Sequence, residues 1–148
     1  MWFRINTPIR IAWIVTSVLV APLRRHFFYK SNRLQAFILV RDLHTSLHGL
    51  VQAFRHQGVL FEHITLVDSG STAPLCLAEL QRLSTLGCNW LRLNQDDQLY
   101  GPYAPWLSSV LQNVIRHQSY PYLVTDADLV LPDDLPDAWL KTLFVGLN

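Results

Sequence analysis

Two aspartates one residue apart, Asp126 and Asp128, directly follow an apolar run, YLVT (122–125). That spacing lets both carboxylates, or one carboxylate and a bridging water, face a single hard cation. A cation held this way binds diphosphate oxygens in turn, the usual arrangement of Mg²⁺ or Mn²⁺ with phosphorylated substrates. Two further polar pairs stand at equivalent places: Arg41-Asp42 after AFILV (36–40), and Asp68-Ser69 after ITLV (64–67). A D-x-D match alone also describes solvated turns and helix starts. Its weight here comes from three polar pairs that all fall where the chain leaves an apolar run.

Those runs predict the elements that position the pairs. AFILV and ITLV read as strands buried on both faces, WLRL (90–93) as a third strand and YLVT as a fourth. Between the first two, Leu43, Leu47, Leu50, Val51 and Phe54 recur at helical spacing, and Gly58 provides a stop. A second helix follows DSGST, with Thr72 as its cap, Pro74 in its first turn, Leu77, Leu80 and Leu83 inward, and Gly87 at its end. After a ten-residue polar loop, one helix beyond Pro105 gathers Trp106, Leu107, Val110, Leu111, Val114 and Ile115 on one face. A last helix opens at Pro136 with Ala138, Leu140 and Leu143. Repeated strand–helix alternation predicts an α/β fold, a Rossmann-like parallel sheet with flanking helices. In such a sheet ligands bind at the carboxyl ends of the strands, where the three polar pairs lie.

The 148 residues suit one domain, and 50% apolar content supplies a packed core. Charge is lopsided: residues 1–41 carry seven basic and no acidic side chains, residues 42–148 five basic and eleven acidic. The division predicts a basic leader over 1–34 and a body over 35–148. Ile11–Leu23 is uncharged but short for a membrane span, so it reads either as an anchor in the membrane surface or as a docked segment of a soluble domain. The basic groups flank that apolar run, which points to a membrane surface and away from nucleic acid. Cys76 and Cys88 read as buried free thiols of a cytoplasmic protein.

ITLVDSGST resembles the second-strand motif of family 2-like glycosyltransferases, and VTDADLVLPDDLPDAWLKTL resembles their later segment. LVRDLHTSLHGLV, VDSGST, LYGPYAPW and VTDADLVLP also occur in the order found in a group of bacterial proteins of the GT-A type. The resemblance covers about residues 35–143, and the ordered set is far more specific than any one member. It implies a GT-A nucleotide-sugar-binding domain. Asp126 and Asp128 would hold Mn²⁺ or Mg²⁺, Asp68 and Ser69 would lie against the base or ribose of a UDP- or GDP-sugar, and Arg41 would lie beside the nucleotide. Gln98 stands where the resembling proteins carry the asparagine of N-L-G, and no arginine matches theirs near Tyr103 and Ala104.

GT-A enzymes continue past this motif into the parts that hold the acceptor and the catalytic base. Here only Leu129–Asn148 follow Asp128, so the expectation is a sheet truncated after the D-x-D strand, with a base and acceptor that no residue identifies. Uncovered apolar surface would favour a homodimer. A degenerate GT-A half that binds without transfer is the alternative of a different class. D-A-D-L-V-L also fits the nucleophile motif of haloacid-dehalogenase-type phosphatases, though the supporting lysine and acidic motifs downstream are missing. His44 and His48 lie four apart but complete no zinc site. Asp96-Asp97 reads as a solvated loop pair. Tyr100 and Trp106 could stack on a base or sugar, Trp106 reading first as core.

Overall fold

A computed structural model describes residues 34–117, 122–131 and 139–140. The expected leader segment 11–23 and most of the expected last helix lie outside these residues. Four strands, β1 (Gln35–Val40), β2 (Ile64–Asp68), β3 (Asn89–Arg92) and β4 (Tyr122–Asp126), form one parallel sheet in the order β3-β2-β1-β4. The chain steps outward from β1 through β2 to β3, then returns across the sheet to place β4 on the other side of β1. The fold is therefore α/β, a four-stranded parallel sheet flanked by helices. Among the described residues no helix is long and apolar enough to cross a membrane.

Both faces of the sheet are covered, which is why the central strands read as continuous apolar runs. Alternation along β1 sends Ala36, Ile38 and Val40 to one face, against Phe54 of α1 (Leu47–His56) and Leu80 of α2 (Pro74–Thr85). It sends Phe37 to the other face, against Val67, Val124 and Leu111 of α5 (Ser109–Arg116). Phe37 and Phe54 are both fully buried, and each such side chain stabilises the fold by roughly 1.5–3 kcal/mol relative to exposure. Leu34, at the expected leader boundary, packs into the first cluster, as does Leu140; Trp139 and Leu140 are helical.

The glycine stop after α1 takes a specific form. Gly58, at φ 85°, donates to the Arg55 carbonyl, and Val59 donates to that of Phe54, the paired bonds of a Schellman ending. Gly87 and Cys88 repeat the pair at the end of α2.

Several local expectations are corrected. The first helix begins at Leu47, not near Leu43, because Asp42 takes a left-handed φ of 54° and turns the chain before it can coil; Leu43 is exposed. Thr72 does not cap α2: Ala73 is at the cap position without a side-chain bond, and the carboxylate of Asp42 does the capping from outside. The helix expected after Pro105 is two, α4 (Ala104–Leu107) and α5, broken at Ser108. Asp97, read as solvated, causes that break. It is buried in α3 (Gln95–Gln98), accepts the Ser108 hydroxyl at 2.9 Å, and leaves that same oxygen to accept the Leu111 N–H at 3.1 Å. The break rotates the expected apolar stripe apart. Leu111 is buried, whereas Leu107 is 55% and Trp106 38% exposed.

Candidate functional site

Parallel register levels the strand ends. Leu39 lies opposite Asp126 and Val40 opposite Asp68, so β2 and β4 bring one aspartate each to either side of the end of β1. Neighbouring strands lie about 4.8 Å apart, which puts the two aspartate backbones roughly 10 Å from each other with Arg41 leaving between them. The strand order reverses between β1 and β4. The chains leaving these two strands pack on one face, Leu47 and Leu50 of α1 sharing a cluster with Ala127 and Leu140. The carboxyl edge beside such a reversal is where open parallel sheets take ligands.

On the β4 side, Asp126 and Asp128 are both exposed, and Ala127 between them is fully buried. The Ala127 N–H donates to the Leu39 carbonyl at 2.9 Å, and its own carbonyl accepts the Ser46 hydroxyl. The turn is thus stitched to β1 and to the end of the β1–α1 loop while its carboxylates are exposed. Lost hydration raises the pKa of Asp126, and the like charge of Asp128 raises it further. Two carboxylates that repel each other in this way are relieved by a cation, and all-oxygen donors suit a hard one. Among the described residues no group of three or more His, Cys, Asp or Glu side chains is placed to hold a metal. Two carboxylates by themselves are donors that an ion of the Mg²⁺ type could use, with waters and phosphate oxygens as its other ligands.

On the β2 side, Asp68 is fully buried. Its Oδ1 accepts the N–H groups of Gly70 at 3.1 Å and Ser71 at 2.6 Å, folding DSGS into a tight turn. Its Oδ2 has no hydrogen-bond partner and lies 3.5 Å from the Arg92 guanidinium, which also donates to the Ser71 carbonyl. Ser69 is tied inward, both its N–H and its hydroxyl donating to the Val40 carbonyl. Gly70 needs its φ of 96°, and a Cβ there would strike the Gln98 side chain. Gln98 is anchored in turn by donating to the Leu93 carbonyl at 2.7 Å.

Between the two sides, Arg41 is exposed and Asp42 clamps the loops together. The Asp42 N–H donates to the Ser71 hydroxyl, and its Oδ1 accepts from the N–H groups of Thr72 and Ala73 at 2.6 and 2.7 Å. The Ala73 bond, followed by the Thr72 bond, lowers the Asp42 pKa. The structure thus gathers Arg41, Asp68, Ser69, Asp126 and Asp128 at one edge, with Asp68 and Ser69 building the turn. His48 faces elsewhere, 3.5 Å from Glu79 across α1 and α2.

Ser46 and Arg92 are the participants that sequence reasoning missed, and Asp42, read as a strand-end polar residue, was not read as a clamp between loops. Arg92 carried a faint signal, a cation ending the third strand beside an acid ending the second. Ser46 carried none, and the clamping role of Asp42 was hidden, because their partners lie 81 and about 30 residues away. Comparison with protein-family models, with curated proteins and with solved structures gives no match.

Proposed function

We propose that this chain carries the nucleotide-sugar-binding half of a GT-A-type glycosyltransferase. Asp126 and Asp128 hold Mn²⁺ or Mg²⁺ against the diphosphate of a UDP- or GDP-sugar. The observation that carries the reading is the exposed carboxylate pair at the carboxyl end of β4, beside the point where strand order reverses. The cation, when bound, neutralises the diphosphate and eases its departure from the sugar. Arg41 adds a positive charge at the carboxyl edge of the sheet. Asp68 shapes the turn on the opposite side of β1, its Oδ1 engaged with Gly70 and Ser71 and its Oδ2 buried beside Arg92, so that the turn lies against base or ribose. Transfer to an acceptor further needs a base in reach of its hydroxyl, for which no described residue is nominated. A cytoplasmic setting, with residues 11–23 at the membrane surface, goes with a donor of this kind.

Labelled UDP-sugars and GDP-sugars with Mn²⁺ should be retained by the protein in an equilibrium binding assay, and Asp126→Ala should release both. Retention that survives the substitution overturns the assignment.

A second reading, a module that binds a partner without transfer, is favoured by the exposed apolar run over 99–110, where Leu99 is 86% exposed. Light scattering that finds a dimer dispersed by Leu107→Glu would support it, and a monomer at all concentrations would remove it.

A further inference from the structure

Ser46 occupies the cap position of α1 and does not cap it. A serine there ordinarily accepts an N–H from the first helical turn, yet Ser46 makes no side-chain cap bond. Its hydroxyl instead donates to the carbonyl of Ala127, 81 residues further along. Ala127 is the buried residue between the two exposed aspartates, and its N–H is fixed on the Leu39 carbonyl. Both backbone polar groups of that residue are therefore held by the β1–α1 loop and the strand before it. A local rule broken without local compensation is most often broken at a functional site.

We infer that Ser46 is a positioning residue for the Asp126–Asp128 pair, sacrificing a helix cap to orient the turn that presents both carboxylates. The inference rests on the metal-binding reading above. Without the hydroxyl, the Ala127 carbonyl loses its anchor, the peptide that follows it can rotate, and the spacing of the two carboxylates is no longer fixed. The loop that carries Ser46 is itself pinned at its other end by Asp42 on Ser71, Thr72 and Ala73, so the D-x-D turn and the Asp68 turn are registered to each other through one short segment.

The test compares Ser46→Gly and Ser46→Thr with the wild type. Glycine is a tolerated cap residue, so α1 keeps its end while the hydroxyl is lost; threonine restores a hydroxyl. Two readouts are taken without nucleotide: Mn²⁺ affinity by electron paramagnetic resonance, and amide hydrogen exchange by mass spectrometry. Ser46→Gly should weaken Mn²⁺ by about tenfold, the scale of lost outer-shell support for a metal ligand, with faster exchange over 126–129 and unchanged protection within α1. Ser46→Thr should recover both. Unchanged exchange over 126–129 overturns the positioning role, as does Mn²⁺ affinity equal to that of the wild type. Wild-type protein that binds no Mn²⁺ overturns the metal reading instead, and exchange then decides alone whether Ser46 orders the turn.

Discussion

The Oδ1 of Asp42 accepts the backbone N–H of Ala73 at 2.7 Å, although the two residues are 31 apart in sequence. The same oxygen takes the Thr72 N–H, so one carboxylate from the β1–α1 loop closes the amino end of α2. An anion at that end also complements the helix dipole.

This bond sets a pH dependence. The Ala73 and Thr72 N–H groups lower the Asp42 pKa, so its contribution is fully present above the ordinary aspartate value of about 4 and is lost as pH falls through the lower folded value. Asp42→Asn tolerates the left-handed φ but cannot ionise. Its melting temperature should lie below that of the wild type at neutral pH, and the gap should close in acid. A gap that persists when both proteins are fully protonated would show that the charge contributes nothing.

Asp126 has the opposite sign. Its raised pKa means that the native state holds a proton there more tightly than the unfolded chain does. Its contribution to stability is present below the unfolded value and is lost as pH rises through the folded one. Without metal, Asp126→Asn should therefore melt no lower than the wild type at neutral pH. Added Mn²⁺ should raise the wild-type melting temperature and leave the variant unmoved. Thermal scans with and without Mn²⁺ decide it; an equal rise in both proteins places the ion elsewhere.

Burial pushes the Cys88 thiol up to about 11, and Cys76 is fully enclosed. Neither is in a disulfide. Both should remain unreactive towards a thiol reagent at neutral pH in native protein and react together in denaturant. Stoichiometric labelling of the native form would contradict the packing of α2 against the sheet.

The break at Ser108 separates side chains that one continuous helix would have placed alike. Leu111→Ala should cost about 2–5 kcal/mol, as for other buried leucines. Val110→Ala, on the exposed side, should stay within about 0.5 kcal/mol of the wild type. Denaturant unfolding of the two variants measures the difference, and equal losses would restore the single-helix reading.

What was legible in the sequence is what local physics dictates. Near-continuous apolar runs marked the central strands β1 and β2, because strands covered on both faces need no alternation. In contrast β3, with Arg92 in its run and both end residues exposed, gave a weaker signal. Gly58 and Gly87 marked the ends of α1 and α2, because a left-handed turn favours a residue without Cβ. The polar pairs at strand ends located the edge of the sheet that holds the candidate site. What escaped was set by distant partners. Thr72 looked like a cap because nothing nearby announces that Asp42 will arrive from another loop. Asp97 looked solvated, and Trp106 looked like core, because the Asp97–Ser108 bond that buries one and turns out the other joins residues 11 apart across two short helices. Asp68 was legible as a strand-end acid, but not as the hub of a turn that engages Oδ1 and leaves Oδ2 facing Arg92.

Isothermal titration of UDP and GDP into the wild type and Asp128→Asn, each with and without Mn²⁺, bears most directly on the carboxylate pair. The expected result is that Mn²⁺ tightens binding of at least one of the two nucleotides to the wild type and that the substitution abolishes the difference. Wild-type affinity for both nucleotides that is unchanged by the metal would contradict the assignment of Asp126 and Asp128 to a metal-held diphosphate.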